Sequence, residues 1–335
     1  MTVTSETRAD EFARQTDQYR RELLAHCYRM LGSLHDAEDT VQETYLRAWR
    51  GYDGFEGRSS LRTWLYTIAT RACLRALESR GRRPMPSGLA GPGADPDAPL
   101  DPPLTDVPWL EPFPDTAAGA DASAGDPAAI AVGRESTRLA LVAALQYLPA
   151  RQRAVLILRD VLRWRAAEVA RLLDTTTTAV NSALRRARAQ LAGLDADGAA
   201  RAAPAPADAR QRELLDRYVA AFEHADVDGL VRLLARDAVL EMPPHATWFR
   251  GAEAIGRFLA PRLGAPGDLL MVATRANGQP AHAMYKRGAD CVQRAHGLIV
   301  LTVAGARIDR LTVFLDAEWV RACGLPAVRA GGATS

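Results

Sequence analysis

Cysteine is scarce in this chain: there are four in 335 residues, Cys27, Cys73, Cys291 and Cys323, and none belongs to a C-x-x-C pair. A zinc knuckle and a dithiol redox motif are therefore without support. Thiols scattered in this way fit a reduced, cytoplasmic protein. No apolar run approaches the roughly 18–20 residues that a bilayer-crossing helix needs, so no membrane partner is expected. Residues 1–17 mix acids, Arg and polar side chains without an apolar centre, and no secretory leader is expected there. Positive charge is absent from one long stretch. Residues 84–133 contain no Lys or Arg but eight Asp or Glu.

What is present divides sharply along the chain. The formal net charge is only +2, yet residues 58–83 carry seven Arg against one Glu, and residues 151–188 carry nine Arg against three acids. Two basic blocks flanking an acidic tether is the footprint of a nucleic-acid binder; an Arg-rich composition by itself gives the same counts. Residues 84–127 hold eleven of the twenty prolines. Such a segment cannot bury enough surface to fold alone and reads as an extended linker. A second Ala-, Pro- and Asp-rich shift occurs near residues 195–210. The expected organisation is a helical domain at 12–83, an acidic linker at 84–133, a second helical domain at 134–194, a short linker at 195–210 and a third domain at 211–328.

Apolar spacing assigns the elements. In the first block, Leu34, Ala37, Val41, Tyr45, Ala48 and Trp49 form a helical stripe whose opposite face is acidic. A following helix carries Leu61, Trp64, Leu65, Ile68, Ala72 and Leu77 on its stripe, with Arg on its flanks. In the second block, a helix at 166–173, a tight turn at 174–176 and a helix at 177–192 make a helix-turn-helix arrangement. Val180, Leu184, Ala187 and Leu191 are its buried stripe. The third block begins with helices at 211–224 and 227–236. It continues with β-like runs at 238–242, 247–250, 269–276, 282–286, 298–303 and 308–315, and a helix at 252–259. The fold class expected is therefore multidomain: two all-α domains, then an α+β domain.

On the second helix of the pair, Thr178, Asn181, Ser182, Arg185, Arg186 and Arg188 lie opposite the buried stripe. Arg can bond guanine bidentately and Asn can bond adenine, so this face suits base reading in a major groove. A plain helical hairpin with a solvated Arg face has the same pattern. In block one, basic side chains interleaved with Tyr52, Phe55, Trp64 and Tyr66 suit melted DNA, although these rings also suit a core.

The run "YRRELLAHCYRMLGSLHDAEDTVQETYLRAWR" with "FEGRSSLRTWLYTIATRACLRALESRGRRP" resembles region 2 of the sigma-70 family, in its extracytoplasmic-function group. The run "LPARQRAVLILRDVLRWRAAEVARLLDTTTTAVNSALRRARAQL" resembles region 4. The resemblance implies a sigma factor whose partners are core RNA polymerase, through its clamp helices and flap, and promoter DNA. It implies polymerase docking by Asp39, Gln42 and Glu43, which match the family's D-x-x-Q-E. It implies −10 contacts from Arg62, Trp64, Arg71, Arg75, Arg80, Arg82 and Arg83, and −35 contacts from Thr178, Asn181, Ser182, Arg185, Arg186 and Arg188. The connector of the family threads through the polymerase, where acids mimic nucleic acid. Arg71 departs from the family, which has Asn at that point of the W-L-x-x-I-A run. No anti-sigma partner is assigned.

Block three resembles the SnoaL-like cone, carried by "LLDRYVAAFEHADVDGLVRLLARDAVLEMPP", "FRGAEAIGRFL" and "IDRLTVFLDAEWVRACGLP". That shape serves both enzymes and binding modules. Glu241, His245, Trp248, Tyr285 and Asp316, with His282 and His296, are the candidates for a pocket and a small-molecule ligand. No pair among them has diagnostic spacing, so a regulatory module in cis is expected rather than an enzyme, with no metal and no cofactor. The alternative is a SnoaL-like isomerase or hydrolase, or a ligand sensor, fused to a helix-turn-helix regulator.

Overall fold

Several long helices begin where a polar side chain satisfies an unpaired N–H group. The computed structural model describes residues 5–57, 59–118, 137–194 and 209–329. Helix α1 is Ser5–Thr16 and α2 is Arg20–Leu31. Gly32, at φ 72°, ends α2 in the left-handed conformation that glycine adopts without strain. Ser33 then caps α3, Leu34–Gly51, by accepting the Asp36 N–H at 3.0 Å. Ser60 does the same for α4, Leu61–Glu78, through the Thr63 N–H at 3.1 Å. In the second block, α5 is Leu139–Leu145, α6 is Ala150–Leu156, α7 is Ala166–Leu172 and α8 is Thr177–Leu194. Asp174, at φ 51°, makes the tight turn between α7 and α8 without a glycine.

The chain divides into two compact units, one formed by residues 1–83 and 122–198, the other by 84–121 and 199–335. This corrects two expectations. The two helical blocks pack together as one unit, and the acidic linker belongs, over its described residues, to the C-terminal unit. The parts of the two linkers at 119–133 and 195–208 lie outside the described residues.

Arg153 explains why the helical blocks join. It is 4 % exposed and reaches from α6 to the Met30 carbonyl at the end of α2. It also donates to the Gln146 side chain at 2.8 Å and to the Gln146 and Leu148 carbonyls at 3.2 Å. Burial pulls its guanidinium down to about 10. Around it Trp164 meets Tyr66 edge to face at 5.8 Å, and Arg82 lies over the Tyr147 ring at 4.2 Å.

Within the same unit, His26 is fully buried between α2 and α4, with Nε2 2.9 Å from the Thr70 hydroxyl. Burial, then Arg29 and Arg62, lower its pKa to about 3. The native state therefore holds His26 neutral, while the unfolded chain takes up a proton below about pH 6.5. Its contribution to stability is complete above that pH and declines as pH falls towards 3. Urea unfolding of the helical unit should show about 1 kcal/mol less stability at pH 5.5 than at pH 7. His26→Gln should flatten that dependence; an unchanged slope in the variant would assign it elsewhere.

The C-terminal unit opens with α9, Ala209–Glu223, and α10, Val227–Leu233. The helix expected to reach residue 236 stops at Leu233, because Leu234 already pairs with Ile308 in the sheet. The strands are β1 Leu234–Glu241, β2 Trp248–Arg250, β3 Leu269–Ala276, β4 Gln279–Arg287, β5 Gln293–Ala304 and β6 Arg307–Phe314. Helix α11, Ala252–Leu259, separates β2 from β3, and α12, Ala317–Ala322, follows β6. The sheet order is β2-β1-β6-β5-β4-β3, antiparallel except for the β1–β6 pair. A short β7, Val328–Arg329, adds to β5. One sheet face packs on α9, α10 and α11 through Tyr218, Phe222, Leu230, Ile255 and Phe258 against Leu240, Met271, Ile299 and Leu301. On the other face, Ala283 and Tyr285 pack with Val320 of α12.

Candidate functional site

Three surfaces bear on function: an acidic stripe, an Arg face and the cone with its strap. Asp39, Gln42 and Glu43 are exposed on α3, spaced so that they share one side of the helix. One turn on, Leu46 is 56 % exposed on the same side. Its helical neighbours are Gln42 and Glu43 on one side and Arg47 and the exposed Arg50 on the other. Leu46 is absent from the buried stripe of α3, and that absence is the signal that could have marked it. Glu43 also pairs with Arg47 one turn along, an exposed pair that contributes little.

The seven side chains of the expected −10 face are not brought together as one open surface. Arg62 forms a bidentate pair with Glu22, at 2.8 Å and 2.7 Å, and lies over the Tyr66 ring at 4.8 Å. Arg80 and Arg83 both pair with Asp36, and Arg82 stacks on Tyr147. Trp64 stacks on Phe55 with ring centroids 4.9 Å apart. Arg71 donates through Nε to the Leu172 carbonyl of α7 at 3.3 Å. Arg75 is exposed on α4. Most of these cations are thus occupied in holding the helices together in this structure.

The helix-turn-helix face is more open. The hydroxyl of Thr176 accepts the Ala179 N–H at 3.1 Å and starts α8. Val180, Leu184 and Ala187 are buried, while Thr178, Asn181, Arg185 and Arg186 are exposed and Ser182 is half-buried. Arg188 differs from its neighbours: it makes a bidentate pair with Asp160, at 2.9 Å and 2.6 Å.

In the cone, strand alternation decides the fate of the pocket candidates. Ala238, Leu240 and Met242 face the helices, so Glu241 projects from the opposite face. There its carboxylate pairs with Arg310 and accepts the Ser87 N–H at 2.9 Å. Trp248 likewise faces outward and donates to the Ala90 carbonyl at 2.8 Å. Tyr285 donates to the Pro326 carbonyl at 2.8 Å on the α12 side. Asp316 caps α12 through the Glu318 N–H. His245 sits after β1, with Nδ1 2.6 Å from the Asp101 carbonyl. The five therefore line no common pocket. Between the sheet and the helices lie Tyr218 of α9 and the sequence candidate His282 of β4, with rings 5.6 Å apart. The Tyr218 hydroxyl and His282 Nδ1 are buried with no partner among the described residues. Burial lowers His282 to about 4, an effect that Asp216 partly opposes. His296 is also lowered, by burial and then by Lys286. Among the described residues, no group of three or more His, Cys, Asp or Glu is placed to hold a metal.

Residues 84–117 run over the cone as a strap. Gly93 donates its N–H to the Trp248 carbonyl at 2.7 Å, and a Cβ there would lie 2.9 Å from the Phe249 ring, so only glycine lets the strap approach β2 this closely. Asp97 and Asp95 pair with Arg257, and Asp101 accepts from the Thr247 hydroxyl at 2.5 Å. Phe113 is fully buried. Its N–H donates to the Asn277 side chain at 2.9 Å, and its carbonyl accepts the Asn277 N–H at 2.7 Å. Asp115 then accepts the Gly278 N–H at 2.8 Å and pairs with Arg275 at 3.2 Å.

Residues 16–83 match Sigma-70 region 2, residues 138–191 match Sigma-70 region 4, and residues 215–308 match the SnoaL-like domain. Over 324 residues the chain is 51 % identical to the ECF RNA polymerase sigma factor SigG of Mycobacterium tuberculosis H37Rv, covering 96 % of this chain and 86 % of that one. The chain belongs to the ECF RNA polymerase sigma factors. The sigma factor SigJ of the same strain is 32 % identical over 252 residues, covering 72 % of this chain and 69 % of SigJ. The crystal structure of M. tuberculosis SigJ superposes with a TM-score of 0.59 at 24 % identity, over 94 % of this chain and 100 % of that one, which supports the fold. In this sigma factor no helix among the described residues is long and apolar enough to cross a membrane.

Proposed function

We propose that this ECF sigma factor docks on core RNA polymerase through the stripe of Asp39, Gln42, Glu43 and Leu46, reads promoter DNA with the open face of α8, and is regulated in cis by its cone. The observation that carries this reading is the division of charge. The exposed carboxylates Asp39 and Glu43 lie on one side of α3 with a bare leucine one turn on, whereas the exposed Arg185 and Arg186 share a face of α8 with Asn181. A protein surface and a nucleic-acid surface are thereby separated on one helical unit. The cone is read as a regulatory module rather than an enzyme, since Glu241, Tyr285 and Asp316 are committed to structural bonds. A sigma factor works beside its polymerase, which places the chain in the cytoplasm.

Run-off transcription with core polymerase tests the cis reading. Removing residues 209–335 should change the transcript yield, and equal yields from full-length and truncated protein would remove the regulatory role. Arg185→Ala should lower discrimination between promoter variants by about 1–3 kcal/mol, the cost of losing one bidentate base contact. Unaltered preference across a promoter panel would move recognition to another side chain. Glu43→Lys places a cation in the acidic stripe and should abolish co-purification with core polymerase. Normal recovery of the variant in the complex would exclude this docking surface.

A further inference from the structure

Composition alone predicts a free connector at residues 84–133, yet the structure holds residues 84–117 of it on the cone from end to end. The manner of holding is uneven. Met85 at one end and Trp109, Leu110 and Phe113 at the other are buried, while residues 87–108 between them are mostly exposed and attached by separate contacts. Backbone pairing consists of isolated bonds, Gly93 to Trp248, Leu104 to Pro244 and Asn277 to Phe113, and one bridge between Pro114 and Ala276. Asp115 at the Arg275 clasp is buried, whereas the clasp at Arg257 is solvated, with Arg257 51 % exposed and Asp97 58 %. Pairs of that kind contribute about 0–1 kcal/mol each and weaken with salt. A largely exposed stretch such as 87–108 lies at the low end of local stability.

The strap is also chemically suited to a second partner. It carries six Asp or Glu and no Lys or Arg. An enzyme that holds nucleic acid presents cationic surface to it, and such a surface competes for the same carboxylates that Arg257 and Arg275 now hold. Released and extended, residues 84–117 would span on the order of 110 Å.

We propose that residues 84–117 are an exchangeable strap: the outer face of the cone binds this acidic segment and withholds connector length, and productive engagement of core polymerase requires its release onto a cationic surface of the enzyme. This inference rests on the cis-regulatory reading and specifies its mechanism.

The experiment uses full-length protein in a Cys291→Ser background with Asp101→Cys and Thr247→Cys, two positions whose side chains touch across the strap–cone contact. Run-off transcript with core polymerase should fall at least about tenfold in the disulfide-linked sample and recover on reduction, as expected when one state of a two-state element is locked. Each single-cysteine variant should be indifferent to oxidant. Full output from the linked protein, with the bond verified by mass, overturns the proposal. A second measurement needs no variant: hydrogen exchange at residues 109–113 of the wild-type chain should be slow alone and fast once core polymerase is bound. Protection that persists in the complex also overturns it. A truncation of 209–335 that changes output, together with a locked strap that does not, would leave cis regulation standing and the strap mechanism refuted.

Discussion

Replacing Phe113 with alanine destabilises the C-terminal unit by about 3–5 kcal/mol, the usual cost of deleting a fully buried aromatic side chain. Phe113 is 0 % exposed, and its main chain is fastened in both directions to Asn277. Asn277 and Gly278 both have positive φ and form the turn between β3 and β4. Losing the ring removes the packing that keeps this turn and the strap together, so the effect should extend along the strap to Gly93 rather than remain local. Urea unfolding followed by fluorescence of Trp109 and Trp248 measures the loss. Hydrogen exchange over residues 84–117 measures its spread. A cost below 1 kcal/mol would mean that the strap is not anchored here.

Arg153→Ala should cost the helical unit about 2–4 kcal/mol. The substitution leaves buried carbonyls at Met30, Gln146 and Leu148 without this donor, at about 1–3 kcal/mol for each group that finds no replacement. It also opens a void between α2 and α6. Arg153→Lys should recover only part of the loss, because an ammonium on a flexible stem cannot reproduce a planar fork that reaches several acceptors at once. The denaturant midpoint of the helical unit reads both effects. A lysine variant as stable as wild type would show that charge, not fork geometry, matters at this position. Because Arg153 ties α6 to the end of α2, either variant should also loosen region 4 from region 2, seen as faster exchange at the start of α6.

The Arg inventory shows where reading a sequence stops being sufficient. Arg62, Arg80, Arg83 and Arg188 look from spacing like the exposed Arg185 and Arg186. Their partners Glu22, Asp36 and Asp160 come from other helices. Whether a cation is available to phosphate or already committed to a carboxylate depends on helix packing, which no periodicity reports.

Local rules, by themselves, determined a good deal of this protein. Helical spacing and Ser caps specify α3 and α4, and the helix at 252–259 and strand at 269–276 have the same limits in sequence and structure. These elements depend on neighbours a few residues away, and so did the motif strings that marked regions 2 and 4 and the cone. Tertiary structure alone decided two things. The first is which face of each strand the helices cover: alternation separates Leu240 from Glu241 but does not say which is inside, and so Glu241, Trp248 and Tyr285 point away from Tyr218 while the candidate His282 points towards it. The second is the fate of residues 84–117. Their Pro- and Asp-rich composition cannot support a core of their own, but a ready-made surface formed by residues some 150 positions later, among them Trp248, Arg257 and Asn277, supplies the burial that they lack.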